Sequence, residues 1–339
     1  MGLLKRQLRH DSEGVASTVG TIMALLVFLT FLSLIVNQYV PVWMKDSESA
    51  HMNTALGQFG GLKGAIDLQV LAAQIAQNAG SHYIPVTSST AVTLGLDGVP
   101  IFAAPTVGEI VVKPDAGPWT VAFYYSIRGV LTKSQDISSG VIELNVDNRY
   151  FIPQRIAYEN GAVIRYQIDG QVIRAQPIFE PQRVNNSIDL SFQLISLYGR
   201  GSVAGTTTEI VNTKLFGLDR QDYGGAETPI KSTIWVNHTS TYGLAWYNFF
   251  NSTLSRRLGI TSGQYTVSAS PTTILFVRFI GKLNNENIYQ VQATYDSGTN
   301  AYQISLQIFK QTELPVSAFR LQHAYVQVGI GENTEEILL

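Results

Sequence analysis

The chain has 339 residues, 45% of them apolar and only 14% charged, with a net charge of −2. That length holds one large domain or two ordinary ones, and the near-neutral charge leaves no basic footprint for nucleic acid. Cysteine is absent, which excludes disulfides, thiolate metal sites and cysteine nucleophiles.

Val15 to Val36 runs 22 residues without a charge or a proline. As a helix it spans roughly 33 Å, about one hydrocarbon core. Lys5, Arg6, Arg9 and His10 precede it, and Tyr39, Trp43 and Lys45 follow. This pattern predicts a single pass through membrane lipid, a cytoplasmic N-terminus and an extracellular body. A secretory signal would have a shorter apolar run and a small-residue cleavage site after it. An uncleaved signal anchor needs nothing beyond the run and its basic flank.

A third reading comes from the residues just before the run. A charged leader, 1–14, ends in Glu13-Gly14 and is followed at once by Val15-Ala16-Ser17-Thr18-Val19-Gly20-Thr21-Ile22. This resembles the class III signal peptide of archaeal type IV pilins and archaellins. The resemblance implies a class III signal peptidase cutting between Gly14 and Val15, so that the transmembrane helix (15–40) stays on the mature protein and can associate with pilin-like subunits. Bacterial-type pilins carry glutamate at the fifth mature position. Here that position is Val19, which argues against the bacterial variety and leaves the archaeal one open.

An amphipathic stalk helix is expected over 41–80. Leu56, Phe59, Leu62, Ile66, Val70 and Ala73 form one stripe, and Asn78-Ala79-Gly80 is a stop signal. Pro41 predicts a kink at the junction with the membrane helix. Gly57, Gly60, Gly61 and Gly64 weaken the helix unless they allow close packing. Two readings of the stalk stay open: close approach to another helix, or docking of the stripe on the protein's own sheet.

Beyond Tyr83 the period changes to two. Val121, Phe123, Tyr125 and Ile127 alternate with polar or small residues, as do Ile142, Leu144 and Val146. So do Ile188, Leu190, Phe192 and Leu194, and Tyr302, Ile304, Leu306 and Ile308. These predict half-buried antiparallel strands. Asn160-Gly161 and Asp169-Gly170 predict type I′ hairpins. Ile274 to Ile280 predicts a central strand buried on both faces. A parity slip between Leu321 and Ala324 predicts a bulge near His323. One helix, 242–258, interrupts the strands, with Leu244, Tyr247, Phe250 and Leu254 on one face and Gly259 as its stop.

The glycine-rich stretch Tyr198 to Pro229 is either a boundary between two β units, 81–225 and 226–330, or one long surface loop. A tail follows at 331–339. The fold class is thus mainly β: a membrane helix continuing into a stalk, then a β-sandwich-like ectodomain with one inserted helix.

"YENGAVIR", Tyr158 to Arg165, and the "AWYNFF" segment, Ala245 to Phe250, are similar to segments of archaeal pilin-like membrane proteins with β-rich ectodomains and no assigned function. That resemblance implies an architecture and a cell-surface location but no reaction.

The chain has no HExxH, GxSxG, Walker or EF-hand motif. "GRGSVAG", Gly199 to Gly205, reads as a flexible turn. The five histidines share no ligand spacing, and Asp219, Asp222 and Glu227 match no calcium loop. No metal or cofactor is expected. Arg278, set in an apolar strand, needs a carboxylate or carbonyl partner. Asn185, Asn237 and Asn251 each head a glycosylation sequon. The sequence therefore predicts a non-enzymatic, pilin-like surface protein, a minor pilin or adhesin. Two alternatives stand beside it: a signal-anchored ectodomain binding an extracellular partner, and a membrane-anchored hydrolase.

Overall fold

The structure, a computed structural model, describes residues 3–99, 102–270 and 276–331. Helix α1 (Leu3–Leu34) passes through one π-helical turn (Ile35–Tyr39) into α2 (Val40–Asn78). The kink expected at Pro41 does not interrupt the helix. Pro41 sits in the first turn of α2, and the widened π turn just before it relieves the clash of its ring with the carbonyl four residues back. Val15 to Asn78 is one helix of 64 residues, and none of its most apolar window is buried. By length and composition it can cross a membrane. It ends where the stop signal stands: Gly80 has φ +67°, and Ser81 N–H bonds back to the Ala76 carbonyl at 2.9 Å.

The strands follow in chain order: β1 (Thr87–Thr93), β2 (Gly108–Lys113), β3 (Trp119–Ile127), β4 (Val130–Ser138), β5 (Val141–Val146), β6 (Gln154–Glu159), β7 (Ala162–Gln167), β8 (Gly170–Ala175), β9 (Phe179–Val184), β10 (Ser187–Tyr198), β11 (Gly201–Gly205), β12 (Thr208–Gly224) and β13 (Ile234–Ser240). After α3 (Gly243–Leu258) come β14 (Tyr265–Ala269), β15 (Phe276–Leu283), β16 (Glu286–Asp296), β17 (Ala301–Ile308) and β18 (Val316–Ile330).

They form three sheets, ordered β1-β12-β18-β10-β9, β11-β2-β5-β6-β7-β8 and β14-β15-β16-β17-β13-β3-β4. Pairing is antiparallel except between β10 and β18, which run parallel. Two cores result. In one, Phe59, Leu62, Ile66 and Val70 of α2 pack with Ile142, Leu144, Ile156, Val211, Val326 and Val328. In the other, α3 packs under the seven-stranded sheet, with Trp119, Phe123, Trp246 and Phe250 fully buried. Each such aliphatic or aromatic burial stabilises the fold by roughly 1.5–3 kcal/mol.

Strand β18 serves both cores. Phe319 and Leu321 face the second core, while Ala324, Val326 and Val328 face the first. The parity slip near His323 is therefore a change of packed face, not a bulge. The register irregularities lie elsewhere, at Leu215/Gly217 of β12 and at Ser317 of β18, the extra residue opposite Ile188/Asp189 of β10. Strand β10 makes the same change, with Leu194 in the second core and Ile195 in the first.

Other expectations need correction. Tyr198 to Pro229 is neither boundary nor loop: it holds β11 and the 17-residue β12. Gly199 to Gly205, read as a flexible turn, contributes β11, which pairs with β2. A boundary near 225 does not separate two β units, because β12 pairs with β18 and β3 pairs with β13. Polar side chains on β12 suit a strand with one wet face, so polarity does not mark a loop here.

Of the stretch Ile274 to Ile280, residues 274 and 275 lie outside the described set, as does the tail from 332. The remainder is half-buried rather than buried on both faces, since β15 is the second strand from the margin of its sheet. Arg278 Nε there donates to the Gln292 side-chain carbonyl at 3.0 Å. Ile127 is exposed, because parity reverses at buried Ser126.

The Asn160-Gly161 turn has both φ angles positive, as type I′ requires. The β7–β8 loop instead centres on Ile168-Asp169, with Gln167 opposite Gly170, and neither loop residue has positive φ.

Candidate functional site

Three places bring chemistry-bearing side chains together. The first is the joint between stalk and body. Glu48 of α2 is fully buried. It accepts hydrogen bonds from the successive backbone N–H groups of Arg149 (3.0 Å), Tyr150 (2.8 Å) and Phe151 (2.6 Å), and from the Thr106 hydroxyl (2.7 Å). Burial alone would raise its pKa. The donors from Arg149, Thr106, Phe151 and Tyr150 outweigh burial and hold the carboxyl below its ordinary range.

One turn on, His51 Nε2 lies 3.0 Å from the Thr93 carbonyl. Burial holds its pKa below the ordinary value, although Thr93 and Glu48 both pull it upward. Further along α2, Gln58 accepts from Thr93 N–H, Gln69 from Leu215 N–H at the β12 irregularity, and Gln77 donates to the Leu218 carbonyl. The stalk is thus hydrogen-bonded into the sheet backbone as well as packed on it. Glu48, His51 and Gln69 were legible only as polar residues in register with the apolar stripe.

The opposite face of the same helix is bare. A Cβ added at Gly57, Gly60 or Gly64 would meet nothing within 4 Å, and Leu68, Leu71 and Ile75 continue this face exposed. The apolar stripe docks on the body, as one of the two readings expected. Among the described residues nothing packs against Gly57, Gly60 or Gly64, and a Cβ at Gly61 would meet only Thr90, at 3.9 Å.

The second place is a buried polar centre around Glu159, at the end of β6. Its carboxylate accepts from the Ser240 hydroxyl (2.9 and 3.0 Å) and the Trp246 indole N–H (2.6 Å). His238 Nδ1 lies 3.1 Å from the Pro118 carbonyl, so that nitrogen carries the hydrogen. Its Nε2 lies 3.3 Å from Glu159 Oε2. The imidazole also stacks on Trp119, with ring centroids 3.6 Å apart.

Beside this centre, Tyr242 donates to Glu143 at 2.6 Å, and Glu143 also meets Lys113 at 3.1 Å. A cavity of about 270 Å³ adjoins both carboxylates. Their oxygens are taken by protein donors. Ser240 is bonded to the carboxylate rather than to the imidazole, so these residues do not form a nucleophile–base pair.

The third place is Ser196, His323 and Asp136. The Ser196 hydroxyl lies 2.8 Å from His323 Nε2, and Asp136 lies 3.9 Å from Nδ1. The order is that of nucleophile, base and orienting acid. Two features oppose that use: Ser196 is held within β10 and only 5% exposed, and 3.9 Å is beyond hydrogen-bond range. Scattered spacing gave no sign of this contact, which β10–β18 parallel pairing and the packing of β4 create. Next to it, burial and Asp219 push the Tyr325 hydroxyl up to about 12, and it donates to Asp219 at 3.0 Å.

The expected processing bond Gly14–Val15 lies within α1. Asn185 is exposed at the β9–β10 turn with φ +55°. Asn237 is exposed on β13, and Asn251 is half-buried in α3, near the Tyr289 and Ser255 hydroxyls. Asp219 and Asp222 are strand residues of β12. Among the described residues no three histidines or carboxylates gather as a metal site. No protein family, curated protein or solved structure matches this chain.

Proposed function

We propose that this chain is a non-enzymatic, pilin-like surface protein. Its leader is removed between Gly14 and Val15 by a class III signal peptidase, its N-terminal helix anchors it in lipid, and its β-rich body lies outside the cell. The observation that carries this reading is the asymmetry of the long helix. One face of α2 is hydrogen-bonded and packed into the body, and on the other, Gly57, Gly60 and Gly64 meet nothing within 4 Å among the described residues. A mere tether needs neither face to be ordered. A subunit that packs by its helix needs the inner face fixed and the outer face open. Assembly with pilin-like subunits, as a minor pilin or adhesin, follows from that open face.

N-terminal and intact-mass analysis of the native membrane protein tests the reading. A mature chain beginning at Val15, lost in Gly14→Asp, is expected. An uncut N-terminus that is the same in wild type and Gly14→Asp sinks it and leaves an uncleaved signal anchor.

A further inference from the structure

Among the described residues, strand β8 ends the six-stranded sheet and pairs with β7 alone. A groove of about 400 Å³ borders it, lined by Gln171, Val172, Ile173 and Gln176 on one side and by α3 on the other. Residues of a strand alternate between its two faces. A groove touching three consecutive residues, 171 to 173, therefore runs along the strand's edge rather than over one face. On the helix side the lining residues include Ala245, Asn248, Phe249 and Ser252. These stand at i, i+3, i+4 and i+7, which is a single helical face. The backbone of Ala245 is fixed to β8 through Gln171, which accepts its N–H and donates to the Thr241 carbonyl. Helix and strand thus hold their separation.

We propose that this groove binds an extended, uncharged peptide segment of a partner protein, which adds to β8 as a seventh strand with α3 alongside. Three observations select that occupant. The edge of β8 presents a row of backbone donors and acceptors that only another extended backbone matches along its length. Before the register break at Arg174, the four residues Gly170 to Ile173 offer about 13 Å of such edge. None of the groove's lining residues is ionisable, so a charged segment would lose hydration without a counter-charge. Ile173 and Phe249 suit a small or β-branched side chain, while Asn248, Asn251, Ser252 and Gln176 suit hydroxyls and amides. A segment alternating threonine and valine carries both. The proposal is independent of leader cleavage and of assembly through the helix.

The test uses the full chain in detergent micelles, made in a host without N-glycosylation so that Asn251 is unmodified. The probe is fluorescein-labelled Gly-Thr-Val-Thr-Val-Thr-Gly amide. Compared by anisotropy are the same peptide with glutamate for threonine, and two forms N-methylated on alternate residues. The expected result is binding of the neutral peptide with slowed hydrogen exchange in Gly170–Ala175. Affinity should fall about tenfold or more for the glutamate form and for one of the two N-methylated forms, the loss of a few edge hydrogen bonds. Asn248→Trp, at an exposed helix position, should fill the groove and abolish binding while leaving the melting temperature unchanged. No binding of the neutral peptide overturns the proposal. So does binding indifferent to N-methylation, to glutamate or to Asn248→Trp, and so does protection elsewhere than β8.

Discussion

Glu159 accepts a hydrogen bond of 2.6 Å from the indole of Trp246. The two residues lie 87 apart in sequence, one in "YENGAVIR" and the other in "AWYNFF". The segments Tyr158 to Arg165 and Ala245 to Phe250 thus meet in the interior of the protein. Glu159, Asn160 and Tyr158 are all fully or almost fully buried, and Asn160 bridges to β10 by accepting from Ile195 N–H and donating to the Gln193 carbonyl. This buried junction is a keystone of the fold.

Removing that keystone should be costly. Glu159→Ala leaves the buried Ser240 hydroxyl and Trp246 indole without their acceptor. A loss of about 3–5 kcal/mol is expected in denaturant unfolding of the body. Glu159→Gln, which keeps an acceptor oxygen, should lose less. A change below about 1 kcal/mol for the alanine variant would refute the role assigned here.

Acid should loosen the stalk joint. Folding lowers the pKa of Glu48 from 4.5 and of His51 from 6.5. Below those values the unfolded chain binds more protons than the folded one. Stability present at neutral pH is therefore lost as pH falls, first below 6.5 through His51 and then below 4.5 through Glu48. Hydrogen exchange at Arg149–Phe151 should quicken across the lower window, and Glu48→Gln should flatten that response. An unchanged acid limb in Glu48→Gln would assign the sensitivity elsewhere.

The glycine face separates folding from assembly. Gly60→Ala and Gly64→Ala meet no neighbour within 4 Å. Each should raise the stability of the isolated chain by up to about 1 kcal/mol. If the face receives a second helix, the same changes weaken self-association, read by cross-linking in native membranes. Higher stability with unaltered association would remove this face from the assembly.

Ser196 tests the hydrolase alternative. A fluorophosphonate probe is expected not to label it, because its hydroxyl is buried and faces only His323. Ser196→Ala should cost about 1 kcal/mol of stability, the worth of one buried hydrogen bond. Labelling of the wild type that disappears in Ser196→Ala would instead make the trio a nucleophilic site.

Glycan occupancy should follow exposure. In a glycosylating host Asn185, at a turn open to solvent, is expected to be modified. Asn251, half-buried on α3, is expected to be bare. Peptide mapping by mass spectrometry reads both directly.

The sequence by itself determined what depends on local pattern. Apolar length made the N-terminal helix fit to cross a membrane. A repeat of three and four set the stalk stripe, with Phe59, Leu62, Ile66, Val70 and Ala73 all buried. A period of two set most strands, and Asn160-Gly161 set a hairpin, since positive φ at both positions is a property of those residues.

Tertiary structure decided whatever joins distant segments. Alternation says that a strand has two faces but not which core each face meets, so the switch in β18 looked like a bulge. Polar composition cannot tell a loop from a strand whose outer face is wet, so β12 was hidden. Spacing cannot bring Glu159 to Trp246, Glu48 to the backbone of 149–151, or Ser196 to His323. Those contacts exist because three sheets and two helices close on each other, and buried polar groups must then find partners among whatever residues that closure brings within reach.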